Sequence, residues 1–172
     1  MPIYALGSQS PSIDATAYVH PDAVIIGSVF IGPQSSVWPT AVLRGDDGEI
    51  RIGARTSIQD GTVVHTTIEW PTTVGDDCVI GHLAHLEACV IEDNAQVSSG
   101  AIVLHRARVC SGAIVAANSV VLNDVVVPAG ALAAGSPAVI KEGRARGQDI
   151  AYGAKNYVAR TARFKRELRR ID

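Results

Sequence analysis

The chain has 172 residues, 47% of them hydrophobic but only 5% aromatic, and a formal net charge of -2. That length supports one buried domain, no apolar run is long enough for a membrane helix, and the N-terminus lacks the basic-then-apolar order of a secretory signal. A soluble, cytoplasmic protein is the expectation, with Cys78, Cys89 and Cys110 read as small, mostly buried residues rather than disulfides or zinc ligands.

The small net charge hides an asymmetry. Residues 1–140 hold 5 Lys/Arg against 13 Asp/Glu, and residues 141–172 hold 10 against 4. A basic tail beside an acidic body docks most simply on that body or on a neighbouring subunit; without aromatic interleaving or a recognition motif it does not read as a nucleic-acid binder.

An aliphatic residue recurs every six positions. The series runs Ile13, Val19, Ile25, Ile31, Val37 and Leu43, resumes at Ile52, Ile58 and Val64, then at Val74, Ile80 and Leu86, and continues from Ile91 to Val127. Four residues after 17 of these 19 markers stands a small or β-branched residue, with failures at Asp47 and Ile68 where insertions interrupt the count. One aliphatic and one small inward position per hexapeptide is the signature of a parallel β-helix, and 19 units predict about six coils over residues 1–140. Stacked coils build aliphatic ladders, which explains the scarcity of rings.

Extra residues enter around 47–50 and 66–73, the second as a protruding loop at Glu69-Trp70-Pro71, and one residue is missing after Leu86. After Pro128 the pattern fades through a Gly/Pro exit. Within residues 141–172, a linker leads to a predicted helix from about 150 to 171. Its apolar positions are Ala154, Tyr157, Val158, Thr161, Phe164, Leu168 and Ile171, and it should pack along the coils and close the core.

The register also aligns the polar residues. Arg44, His65 and Glu87 each follow a marker three hexapeptides apart, so they should form a column with steps of about 4.8 Å. Asp60 and His82, each two past a marker, should stack in the same way. His85 falls at a corner by this count, and His105 reads as a surface residue. His65 and Glu87 suit a shared metal ion. His82 lies around a corner, and the five residues to Glu87 span roughly 16 Å extended, so His82 would have to come from a neighbouring subunit.

Three segments, SVWPTAVLRGD (residues 36–46), IGARTSIQDGTVVH (52–65) and IGHLAHLEAC (80–89), carry a resemblance to the gamma-class carbonic anhydrases. The ending AAGSPAVIK (133–141) is shared with hexapeptide acyltransferases and speaks to architecture alone. The resemblance implies a left-handed β-helix, a homotrimer, and zinc, with iron or cobalt as alternatives, held between subunits by three histidines. Two of these match His65 and His82. The third falls on Glu87, where the family pattern GHxAxLHGC has His, and Ala88 replaces the following Gly. Arg44 and Asp46 correspond to residues that tie subunits together and flank the metal, Gln59 and Asp60 to residues that position water and substrate.

The implied chemistry is attack of a metal-bound hydroxide on carbon dioxide to give bicarbonate. An anionic Glu87 should make the bound water less acidic and hydration weak at neutral pH. Three alternatives stay open: His85 as third ligand, a metal-free structural or binding trimer, and an acyltransferase with His105 as the nearest candidate base.

Overall fold

Each hexapeptide forms a short strand and a corner, because the marker and the residue two before it point inward while their neighbours point out. The computed structural model describes residues 2–172, and in it the strands stack in parallel register, coil upon coil. The result is a parallel β-solenoid of about seven turns with one helix after it.

One face carries the first part of Val42–Ile52, then Val63–His65, His85–Glu87, Ile102–Val103 and Val120–Val121. A second carries the rest of Val42–Ile52, then Thr72–Val74, Val90–Ile91, Arg108–Val109 and Val126–Val127. Val24–Ile31 and Val42–Ile52 run around the corner between these faces and join them into one 12-stranded sheet. The third face stacks seven parallel strands from Tyr18–Val19 to Leu132–Ala134. Six coils were expected. The extra rung arises because the period continues past Val127 to Ala133, which is fully buried. Val139–Lys141 then pairs antiparallel with that last strand and covers its edge.

Every marker from Val19 to Val127 is buried, and Ile13 packs against the cluster at its end. The small inward position needs a correction. It lies two residues before a marker rather than four after one, a distinction that matters only where the spacing changes. Ile50, Thr72 and Cys89 fill it there and are fully buried, whereas Asp47 and Ile68 point out and Val90 is only half-buried.

The corners have a conformational signature. The third residue after nine markers, among them Gln34, Arg55, Leu83 and Arg106, has a φ between 54° and 64°. After Leu86 the shortened unit brings this left-handed position one residue early, onto Ala88, with φ of 50°.

The helix, α1 (Gly147–Glu167), begins and ends earlier than expected. Leu168 and Ile171 lie outside it and are exposed. It also does not close the core. It lies along the outside of the third face, against Ser36–Val37, Ser57–Ile58 and Val79–Ile80, burying Ile150, Ala154 and Thr161. Trp38 anchors it: the indole N–H reaches Ser36 Oγ and Ser57 Oγ at 2.9 and 3.1 Å, and the ring meets Phe164 and Tyr157 edge-on at 4.9 and 5.4 Å. Lys165 donates to the Thr16 carbonyl at 2.7 Å, so the tail touches the body. Most of its arginines, however, pair within the tail, as in Arg146 with Asp149 and Arg163 with Glu167. No helix among the described residues is long and apolar enough to cross a membrane.

Candidate metal centre

Alternation along the strands fixes what the first face shows to the outside. Leu43, Val64 and Leu86 point into the core, so Arg44, His65 and Glu87 point out, and the pairing sets Arg44 beside His65 and His65 beside Glu87. The expected column is therefore present.

Its internal bonding differs from a simple ladder. Arg44 pairs with Asp46, two residues along the same strand. Asp46 Oδ1 lies 3.1 Å from His65 Nε2, and Glu87 Oε1 lies 3.0 Å from His65 Nδ1. His65 is thus held between two carboxylates. Protonated, the ring donates to both; neutral, it has a single N–H, donates to only one, and leaves its other nitrogen with a lone pair that suits a cation.

The extra residues around 47 form an irregularity in the pairing with Val24–Ile31, which shifts register between Gly27 and Val29. The bulge carries Asp47 outward, and Asp46, Asp47 and His65 each place a donor atom within 4.8 Å of the others. One nitrogen and two carboxylate oxygens are a donor set that fits a divalent ion of the zinc class. The consecutive acids of RGDD were the available signal for Asp47.

The largest departure from expectation surrounds Glu87. His85 does not sit at a corner but in the strand His85–Glu87, paired with Val63 and Ile102. Two residues from Glu87, it shares its face, and its Nε2 lies 3.2 Å from Glu87 Oε2. His105, one coil further, is no isolated surface residue either, since its Nε2 comes within 3.5 Å of Glu87 Oε1. Three of the five histidines in the chain thus surround one carboxylate. Partial burial opposes the charge on Glu87, but hydrogen bonds from His65 and His85 and positive charge at His105 and His65 outweigh it, holding its carboxyl below the ordinary value. At Asp46, burial is likewise outweighed by hydrogen bonds from Arg44 and the backbone, and by the Arg44 charge.

His82 belongs to a separate group. It follows Val79–Ile80 on the third face, and its Nδ1 lies 2.9 Å from Asp60 Oδ2, the stacking the register implied. Gln59, beside Asp60, is buried at 5% exposure. Among the described residues no hydrogen bond or ion pair joins Gln59, Asp60 and His82 to the His65 group. A groove of about 700 Å³ runs along another part of the solenoid, lined by Asp14, Phe30, Arg51 and Asp93, and contains none of these residues.

No family model matches the chain. The gamma carbonic anhydrase 2, mitochondrial, of Arabidopsis thaliana is 40% identical over 159 residues, 87% of this chain and 57% of that protein. The carnitine operon protein CaiE of Escherichia coli (strain SMS-3-5 / SECEC) is 39% identical over 104 residues, 60% of this chain and 53% of that one. The chain thus spans about half the length of the curated relatives it matches. The crystal structure of a hexapeptide transferase family protein from Anaplasma phagocytophilum superposes with a TM-score of 0.90 at 38% identity, covering 95% of this chain and 98% of that one.

Proposed function

We propose that this chain, which belongs to the gamma carbonic anhydrase family of hexapeptide-repeat proteins, is a metal-dependent enzyme that hydrates carbon dioxide to bicarbonate in a homotrimer with sites between subunits. The observation that carries the reading is the chain of contacts from Arg44 through Asp46 and His65 to Glu87, outward on one face. Residues that would hold the ion are His65, through the Nδ1 that faces Glu87, and Glu87 of one protomer with His82 of the partner subunit; Asp46, engaged by Arg44 and by His65 Nε2, then supports His65 instead of binding the ion itself. When bound, a zinc, iron or cobalt ion supplies the Lewis acidity that makes a water nucleophilic toward carbon dioxide.

The chain's own residues prepare that place. Asp46, held by Arg44, orients the ring of His65 from its Nε2 side. Asp60 fixes His82 through Nδ1 and leaves Nε2 free of a protein partner among the described residues, as a ligand from another subunit requires. Gln59 and Asp60 stand beside one another to orient water and substrate. Glu87 brings a negative charge where histidine would be neutral, so it weakens acidification of the water and favours slow hydration at neutral pH.

The test is stopped-flow hydration of carbon dioxide by protein loaded in turn with zinc, cobalt and iron, with the Glu87→His variant assayed alongside. A higher rate in the metal-loaded variant is expected; an unchanged or lower rate counts against the role given to Glu87. The likeness to a hexapeptide transferase family protein favours one second reading, acyl transfer. Turnover of acetyl-CoA with an amine acceptor and no hydration in any metal-loaded form would favour it.

A further inference from the structure

The two oxygens of Glu87 have different neighbours. Oε1 faces His65 Nδ1 at 3.0 Å, and Oε2 lies 3.2 Å from His85 Nε2. An ionised carboxylate only accepts hydrogen bonds, so His85 carries a proton on Nε2 and donates it to Oε2. The strand explains why this ring reaches its partner. Residues two apart share a face, and the pairing sets His85 between Val63 and Ile102, which point outward beside the buried Val64 and Val103. Flanked by these aliphatic rungs, the side chain is only 33% exposed, and Glu87 is the partner its Nε2 finds among the described residues.

We propose that His85 is a positioning residue: by donating to Oε2 it fixes Glu87 as a ligand through Oε1 alone and takes up part of the carboxylate's charge. The inference rests on the metal reading above and names the residue that supports one of its ligands. An unheld glutamate turns about its side-chain torsions and presents either oxygen, or both, to a cation. The hydrogen bond on Oε2 removes that choice, because Oε1 is the oxygen turned toward Nδ1 of His65. His85 thus does for Glu87 what Asp46 does for His65 on the other side of the column. The same bond draws electron density from the carboxylate, which leaves Glu87 a weaker donor and less able to quench the Lewis acidity of the site. His85 therefore offsets part of what an anionic Glu87 takes away. His105, 3.5 Å from Oε1, lies beyond ordinary hydrogen-bond range and does not hold the other oxygen in this way.

The experiment uses the full chain, stripped with chelator and titrated calorimetrically with zinc, together with the visible absorption of its cobalt form. Two substitutions at one position separate the hydrogen bond from the packing: His85→Leu fills the space without a donor, and His85→Gln returns an N–H. Circular dichroism checks that each variant keeps the fold. His85→Leu should weaken zinc affinity about 10-fold or more and shift the cobalt bands, while His85→Gln stays close to the wild type. Because His85 acts through Glu87, the loss should vanish in a Glu87→His background, where adding His85→Leu should change affinity by no more than about 2-fold. Wild-type affinity and cobalt bands in folded His85→Leu would overturn the proposal and leave Glu87 standing as a ligand. An equal loss in the Glu87→His background would overturn it as well, since His85 would then act on its own. A wild-type protein that takes up no zinc or cobalt would instead remove the metal reading itself, and the role of His85 with it.

Discussion

The strands Val63–His65 and His85–Glu87 present two ladders built from the same rungs. Inside, Val64 and Leu86 stack apolar on apolar and are fully buried. Outside, His65 and Glu87 stack base on acid, with Arg44 and Asp46 before them and His105 after. The inner ladder depends on volume and tolerates any aliphatic residue of similar size, because burial is non-directional. The outer ladder depends on complementary charge and on hydrogen-bond direction, so a change of one atom type alters what it can hold. A single backbone register therefore carries both the stability of the fold and the chemistry of its surface.

The strongest way to break this comparison is to damage the inner ladder alone. Leu86→Ala removes a fully buried side chain and should cost about 2–5 kcal/mol of stability, measured by chemical denaturation. Glu87→Gln, its outward neighbour, should cost far less. Equal losses from the two would mean that inner and outer ladders are not energetically distinct.

Smaller in size is the effect of Ala88→Gly. Ala88 holds a left-handed φ of 50° at the shortened corner, which costs an alanine about 1–2 kcal/mol, and glycine returns part of this through its own chain entropy. A net gain of about 0.5–1 kcal/mol is expected, read as a rise in Tm of a few degrees. A fall in Tm would show that the buried methyl group contributes more than the corner strain removes.

Below that lies the acid sensitivity of the outer ladder. Asp46 and Glu87 are held below their ordinary pKa values in the folded chain. The stability from their contacts is therefore present above the unfolded carboxylate values, near about pH 4, and is lost as pH falls through the lower folded ones. In chelator-treated protein, Tm should fall more steeply from about pH 6 to pH 3 in the wild type than in the Asp46→Asn, Glu87→Gln double variant. Parallel curves would assign these contacts no stabilising role.

The least disturbing probe is a thiol reagent. Burial pushes the thiols of Cys78 and Cys89 up to about 12, whereas Cys110 is only half-buried. One thiol per chain should react in native protein near pH 8 and three after unfolding. Fast reaction of all three would mean that the inner ladder opens readily.

Much was legible without coordinates because the hexapeptide is a local rule. Period, inward markers and the vertical alignment of Arg44, His65 and Glu87, or of Asp60 and His82, all follow from counting, since equal offsets in successive coils must stack. The count failed where the unit length changed. Ile50, Thr72 and Cys89 took the small inward position, and His85 moved from an expected corner into a strand.

What counting could not supply was the direction in which long polar side chains turn once stacked. Arg44 chose Asp46 on its own strand over Glu87, and His85 and His105 converged on Glu87 from either side of the expected column. The sequence by itself determined the coil, its core and the rung on which each residue stands, because apolar burial repeats with the chain. Only the tertiary structure decided which charges meet, because hydrogen bonds are directional and depend on side-chain torsions that no spacing specifies.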